Sequence, residues 1–153
     1  MEFTPSKLNF FTFFKLPMVW LAGIRVVVFE RNYCEAKVKH RWINQNPFKS
    51  MFWAVQGMAA ELTTGVLLMQ EIQSSNQKIS MLVVNNKANF SKKARGRITF
   101  SCAPENKITN AIKKLIKLKV PQTLWLTSKG LDENQNIVCT FKFEWTLLIK
   151  NIL

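Results

Sequence analysis

The chain has 153 residues, enough for one compact domain and too few for two ordinary ones, and 48% of them are hydrophobic, including 12 Phe and 5 Trp. Only 5 Gly and 5 Pro are present, which argues against a disordered, collagen-like or propeller chain, and no internal repeat or low-complexity tract occurs. The formal net charge of +13 favours anionic partners: nucleic acid, an acidic membrane surface, or a phosphate-bearing ligand such as coenzyme A.

Residues 5–16 and 17–22 read as two short helical pieces, with Pro5 and Pro17 near their starts and Gly23 as terminator. The stretch 10–23 is apolar, but Lys15 and Pro17 interrupt it; it is too short to span a bilayer and lacks the basic start and cleavage site of a secretory leader. The expected organisation is an N-terminal helical segment, 1–23, followed by a single domain, 24–153. The aromatic side chains Phe10, Phe11, Phe13, Phe14 and Trp20 are expected in core packing, with a lid over an apolar tunnel as the alternative.

The β-branched run 24–30 predicts a strand, and Arg31-Asn32-Tyr33 a hairpin turn. Cys34, Ala36, Val38, His40 and Trp42 then alternate with Glu35, Lys37, Lys39 and Arg41, the period of a half-buried antiparallel strand. Asn44-Gln45-Asn46-Pro47 is a loop rich in capping residues, and a long helix runs from it to about Gln73, capped either by Asn46 or by Ser50. Its residues 51–68 are apolar on every side, which predicts a buried helix.

Strands are expected over 81–90 and 97–103, joined by a basic turn at 91–95. An amphipathic helix follows over 106–118, with Lys113, Lys114 and Lys117 on its exposed face, then a strand over 120–128 and a turn at 130–136. The closing strand, 137–149, alternates strongly and is expected to leave an edge that a second copy could pair with. One buried helix, a lesser one and about six strands predict an α+β architecture, a curved antiparallel sheet wrapped around the long helix.

Cys34, Cys102 and Cys139 are odd in number, far apart and each within a predicted strand, so they read as buried free thiols of a reducing, cytoplasmic setting. The lone His40 completes neither a zinc set nor a Ser-His-Asp triad, and no G-x-S-x-G elbow is present; no metal site is expected. Glu61 stands out. It sits mid-helix among Ala59, Ala60 and Leu62, where an ionised carboxylate is costly unless paired or used, and where desolvation raises its pKa toward the range of a useful base. Gly57 and Gly65 lie four residues to either side on the same face, which suggests a close approach by another backbone or a ligand. Thr63, Thr64 and Gln56 could add polar groups nearby; a mid-helix threonine more commonly bonds back to a carbonyl.

Asn46, followed fifteen residues later by Glu61 on the central helix, together with the order of elements, resembles the hotdog-fold thioesterase superfamily. The likeness is nearest to an uncharacterised branch, similar to the domain of unknown function 4442, related to the phenylacetate-pathway and 4-hydroxybenzoyl-CoA thioesterases. It covers roughly 24–150 and is most specific over 44–65 and 87–96. The family's His-Gly-Gly stretch at the helix start is absent; Met51, Phe52, Trp53 and Ala54 stand there.

The resemblance implies an acyl-CoA thioesterase-like hydrolase acting as a homodimer or dimer of dimers. Glu61 would be base or nucleophile, Asn46, Gln56 and Thr64 would be supporting residues, and helix-start amides would polarise the carbonyl. Lys92, Lys93, Arg95 and Arg97 would receive the phosphates of coenzyme A, which enters as part of the substrate, with no separate cofactor. The missing stretch favours a second reading, a non-catalytic acyl or acyl-CoA binding protein of the same fold. Nucleic-acid binding, prompted by the charge, finds no recognised motif, and no specific nucleic acid is expected.

Overall fold

Residues 3–150 are described by the structure, a computed structural model. Of the expected domain bounds, 1–2 and 151–153 lie outside the described residues. The chain opens with α1 (Pro5–Lys15), where Thr4 Oγ1 accepts the Lys7 N–H at 3.3 Å and Pro5 supplies a preset first helical residue. Pro17 starts α2 (Pro17–Leu21) one residue after α1 stops. Gly23 follows at φ +86°, and the Arg41 guanidinium occupies the place where a Cβ would stand, so no other residue fits without moving that side chain.

Six strands form one antiparallel sheet: β1 (Arg25–Glu30), β2 (Tyr33–Lys39), β3 (Ile79–Phe90), β4 (Arg97–Cys102), β5 (Gln122–Leu131) and β6 (Ile137–Ile149), in the order β1-β2-β4-β5-β6-β3. Register shifts at Val26/Val28, Val83/Asn85 and Gly130/Leu131 mark the local bulges that bend such a sheet. The long helix α3 (Trp53–Ser74) lies in its concave face, and α4 (Lys107–Leu118) packs against β5, β6 and α3 with Ile108, Ile112 and Leu115 buried. Each of those three side chains contributes up to about 1.5–3 kcal/mol by leaving water.

Two edges result, and they differ. At β1 the Asn9 side chain of α1 bonds both the N–H and the C=O of Val26, each at 2.9 Å, so α1 covers that edge as a neighbouring strand would. At β3 no strand lies beyond among the described residues, and residues 84–90 are exposed on both faces. The closing strand β6 is therefore not an edge, contrary to the expectation. It lies between β5 and β3, where its inward Phe141, Phe143, Trp145 and Leu147 are buried against the helix side. Pairing of β6 with β3 joins segments distant in sequence, and alternation alone carries no information about which strands neighbour one another. The strand expected over 120–128 runs instead over Gln122–Leu131, taking in Gly130 from the expected turn.

Helix α3 starts later than either expected cap. Its first flanking residue is Phe52, which makes no side-chain capping bond. Asn46 is engaged locally: its Oδ1 accepts the N–H groups of Phe48 (2.9 Å) and Ser50 (3.3 Å), and its Nδ2 donates to Ser50 Oγ (3.0 Å). Those bonds make a side-chain-closed turn and occupy both candidate caps. Nor is α3 buried all round. Residues 59–60 and 62–68 are buried, whereas Ala54, Gly57, Met58 and Glu61 form a half-exposed stripe and Trp53 is 58% exposed.

Candidate functional site

The loop before α3 is held from inside. Buried Asn44 donates to Ala22 O (3.0 Å) and Lys39 O (2.9 Å) and accepts the Arg41 N–H (2.8 Å). Phe52 N–H reaches Asn44 O and Met51 N–H reaches Ala94 O, both at 2.8 Å, so the helix start is fixed to β2 and to the turn before β4. Among the described residues, the amides of Trp53 and Ala54 have no acceptor. They are the orphan donors of the first helical turn, and they carry the positive end of the helix dipole.

A concavity of about 410 Å³ opens at this end of the helix, lined among others by Asn46, Ser50, Trp53, Gln56, Lys92 and Lys93. Gln56 is 4% exposed; its Nε2 donates to Met51 O at 3.1 Å, while its Oε1 is buried with no partner. A buried acceptor left unmatched costs about 1–3 kcal/mol, so it is a group poised for a donor from a ligand or a water. Four of the eight candidate residues, Asn46, Gln56, Lys92 and Lys93, therefore meet here.

Glu61 does not line that concavity. Five residues beyond Gln56, it is about 7.5 Å farther along the axis and on the half-exposed stripe. Its carboxylate has neither hydrogen bond nor ion pair among the described residues, and burial pushes its pKa up. No backbone approaches Gly57 or Gly65; a Cβ at either would meet only side chains, at ordinary contact distance. A Cβ at Gly57 would lie 3.4 Å from Phe141 Cε1, and one at Gly65 3.5 Å from both Trp145 Cη2 and Glu61 Oε1. Thr64 Oγ1 donates to Glu61 O (2.9 Å) and accepts from Trp145 Nε1 (3.1 Å), so this hydroxyl fixes the helix against β6. Thr63 Oγ1 pairs with Ser128 Oγ at 2.8 Å in the core.

The basic turn divides. Lys92 pairs with Asp132 at 2.7 Å, and that bond, with the Asn136 N–H, holds the Asp132 carboxyl down at about 2. Lys92, Lys93 and Arg95 surround a smaller hollow of about 250 Å³ that also contains Asp132 and Glu133. Arg95 Nε donates to Lys49 O at 3.2 Å. Arg97 belongs elsewhere: it opens β4 opposite Lys39 and lines a separate concavity with Arg25, Lys37, Lys39 and Arg41. Sequence reasoning missed the acidic partners, which lie forty residues downstream. It also missed the second basic group, although the alternation of Lys37, Lys39 and Arg41 already put those charges on one strand face.

His40 lies just past β2. Its N–H donates to Gly96 O at 2.7 Å, and its Nε2 is buried without a partner. The three cysteines are free and buried, and desolvation holds each thiol up at about 12, so none is a nucleophile near neutral pH.

A curved antiparallel sheet wrapped around one long helix is the hotdog fold. The chain belongs to the family described as Domain of unknown function (DUF4442), which it matches over residues 6–147. Among solved structures it is similar to a protein of unknown function from Pseudomonas aeruginosa described as a probable thioesterase, with TM-score 0.86 and 20% identity over 98% of this chain and 99% of that one. A protein of unknown function from Chlorobaculum tepidum gives TM-score 0.81 and 15% identity over 95% and 94% of the two chains. A thioesterase from Haemophilus influenzae gives 0.73 and 15% over 97% and 93%. At these identities the likeness is one of fold. No curated protein matches the chain.

Proposed function

We propose that this protein is an acyl-CoA thioesterase-like hydrolase of the branch related to the phenylacetate-pathway and 4-hydroxybenzoyl-CoA enzymes, acting in the cytoplasm as a homodimer. The observation that carries the reading is Glu61: a half-buried carboxylate with no partner among the described residues, on an open stripe of a helix whose first amides are also unbonded. The Trp53 and Ala54 amides lie about 10–12 Å from Glu61 along one helix and point away from it. The thioester carbonyl whose developing oxyanion they would hold would therefore meet the Glu61 of the second copy. Glu61 would take a proton from water as that water attacks the carbonyl carbon, or would itself attack to give a mixed anhydride later hydrolysed. In either route the carbon–sulfur bond breaks and the thiolate leaves as coenzyme A.

Gln56 Oε1 would accept from an N–H of the pantetheine arm, and Asn46 keeps the helix-start loop in place. Lys93, with Lys92 and Arg95, would meet the phosphates. Such chemistry requires no cofactor beyond the coenzyme A of the substrate. The second copy is supported by the bare β3 edge and by exposed Leu82, Val84 and Phe90 along it, beside exposed Phe52 and Trp53. Its surface would roof the stripe that holds Glu61. Buried free thiols suit a reducing compartment.

Bulky Trp53 at the helix start favours the second reading, an acyl-CoA binding protein without turnover. Short, long and aromatic acyl-CoAs assayed for free thiol separate the two. Release from any of them supports the hydrolase, whereas tight binding with no release assigns the binding role, and neither binding nor release sinks both.

A further inference from the structure

The N-terminal helices invert the usual polarity of a surface helix. Toward the body, α1 buries Leu8 and a threonine, Thr12, while Phe10 and Phe14 are 67% and 60% exposed and Phe13 is exposed beside them. Met18 and Leu21 of α2 are exposed as well. The rings touch in series: Phe10 to Phe14 and Phe14 to Phe13 at 4.8 Å, and Phe13 to Trp20 at 5.1 Å between centroids. This is one continuous aromatic plate, with a concavity of about 770 Å³ among its rings and Lys7 and Lys15 on the rim. A contiguous exposed apolar patch of this kind marks an interaction surface.

Trp20 links the plate to a basic surface. The Arg25 guanidinium lies 3.4 Å from the Trp20 ring centroid and donates to Trp20 O at 2.9 Å. Arg25 in turn lines a concavity of about 480 Å³ with Lys37, Lys39, Arg41 and Arg97, and no acidic residue lines it. The sheet register brings like charges face to face there, Arg25 opposite Lys37 and Lys39 opposite Arg97. Cross-strand like pairs destabilise a sheet, and among the described residues Lys37 alone of these cations has an acidic partner, Glu35 at 3.3 Å.

We infer that the aromatic plate of α1 and α2 and the adjoining basic concavity form a peripheral docking face for a membrane surface carrying anionic lipid headgroups. The rings enter the boundary between headgroups and acyl chains, and the cations meet headgroup phosphates. Charge complementarity selects this occupant. A second copy related by a two-fold axis would set the five cations against five identical ones. Bases could stack on Phe10 and Phe14, but nucleic acid would leave exposed Met18 and Leu21 unmatched, and an apolar bilayer boundary matches all four. No helix among the described residues is long and apolar enough to cross a membrane, so the contact lies on the bilayer surface. The face is at the β1 end of the sheet, remote from β3, and stays open when β3 is paired. Its existence does not depend on the thioesterase reading.

Co-sedimentation of the full chain with vesicles of phosphatidylcholine alone, or with about one-third phosphatidylglycerol, tests the inference. Binding is expected to the anionic vesicles, weakening with salt. Each basic side chain at such a surface strengthens binding about fivefold, so the pair Lys39→Gln and Arg97→Gln is expected to weaken it about 25-fold. The pair Phe10→Ser and Phe14→Ser is expected to abolish it. All four side chains are exposed, and unchanged circular dichroism and melting temperature would establish that the variants fold. Equal binding to both vesicle types, no binding to either, or unchanged binding by both variants overturns the inference. So does light scattering that shows Phe10 and Phe14 consumed in self-association.

Discussion

Replacing Glu61 by glutamine separates the chemistry of the site from its folding. The amide keeps the size of the side chain and its contacts beside Gly65 and Trp145, and removes the charge and the base. Burial raises the Glu61 pKa from its ordinary 4.5, so the folded state binds this proton more tightly than the unfolded chain does. The stability Glu61 contributes is therefore fully present below its unfolded value and lost as pH rises through its folded value. Above its raised folded-state pKa the ionised, unpaired group is a liability. Glu61→Gln is expected to leave stability unchanged or raise it by up to about 1 kcal/mol, small because the side chain reaches solvent that screens it. That corresponds to a gain of about 2–4 °C in melting temperature, shrinking as the pH is lowered. Activity should behave oppositely. Loss of a general base lowers kcat by about 10²–10⁴, and the wild-type rate should climb as pH rises through the elevated pKa, a limb absent from the variant. Thiol release across a pH series, alongside thermal melts, reads both effects. Activity within about threefold of wild type refutes a catalytic Glu61, because a positioned base contributes far more than that. A loss of activity accompanied by a large fall in melting temperature would instead mark Glu61 as structural.

Other parts of the structure lend themselves to simpler tests. Thr64→Val strands the buried Trp145 Nε1–H, now bonded at 3.1 Å, and should cost about 1–3 kcal/mol in a denaturant titration. Gly130→Ala puts a Cβ 2.7 Å from Cys139 Sγ and 2.8 Å from Phe100 Cε1; both are buried, so overpacking should cost about 1–3 kcal/mol. Leu82→Glu on the bare β3 edge should convert a dimer to a monomer by light scattering and reduce turnover with it, whereas an unchanged mass would move the interface elsewhere. Asp132→Asn releases Lys92 from its 2.7 Å pair and should lower KM for acyl-CoA with kcat held; a KM that stays put would remove Lys92 from phosphate binding.

Local periodicity determined most of the elements. The alternations over residues 34–42 and 137–149 and the apolar run 51–68 are backbone-scale signals. The second became the strand it implied, whereas the first stops at Lys39, with Trp42 exposed, and the third is helical only from Trp53. The glycines around Glu61 suggested a close approach that the structure does not contain, and a carboxylate among alanines left open whether it is paired or used. What lies beside those glycines was decided by strand order, which places the rings of Phe141 and Trp145 there. The helix start was decided by hydrogen bonds: Asn46 satisfies Phe48 and Ser50, so the helix opens uncapped at Trp53 with two amides free. Side-chain parity across paired strands turned Arg97 toward Lys39 and Arg25, while Lys92 found Asp132 across a turn forty residues away. The asymmetry of the edges, β1 closed by Asn9 and β3 open, also depends on contacts between distant segments. Such contacts have no local period, so tertiary structure alone decides which surfaces remain for a substrate, a second chain or a membrane.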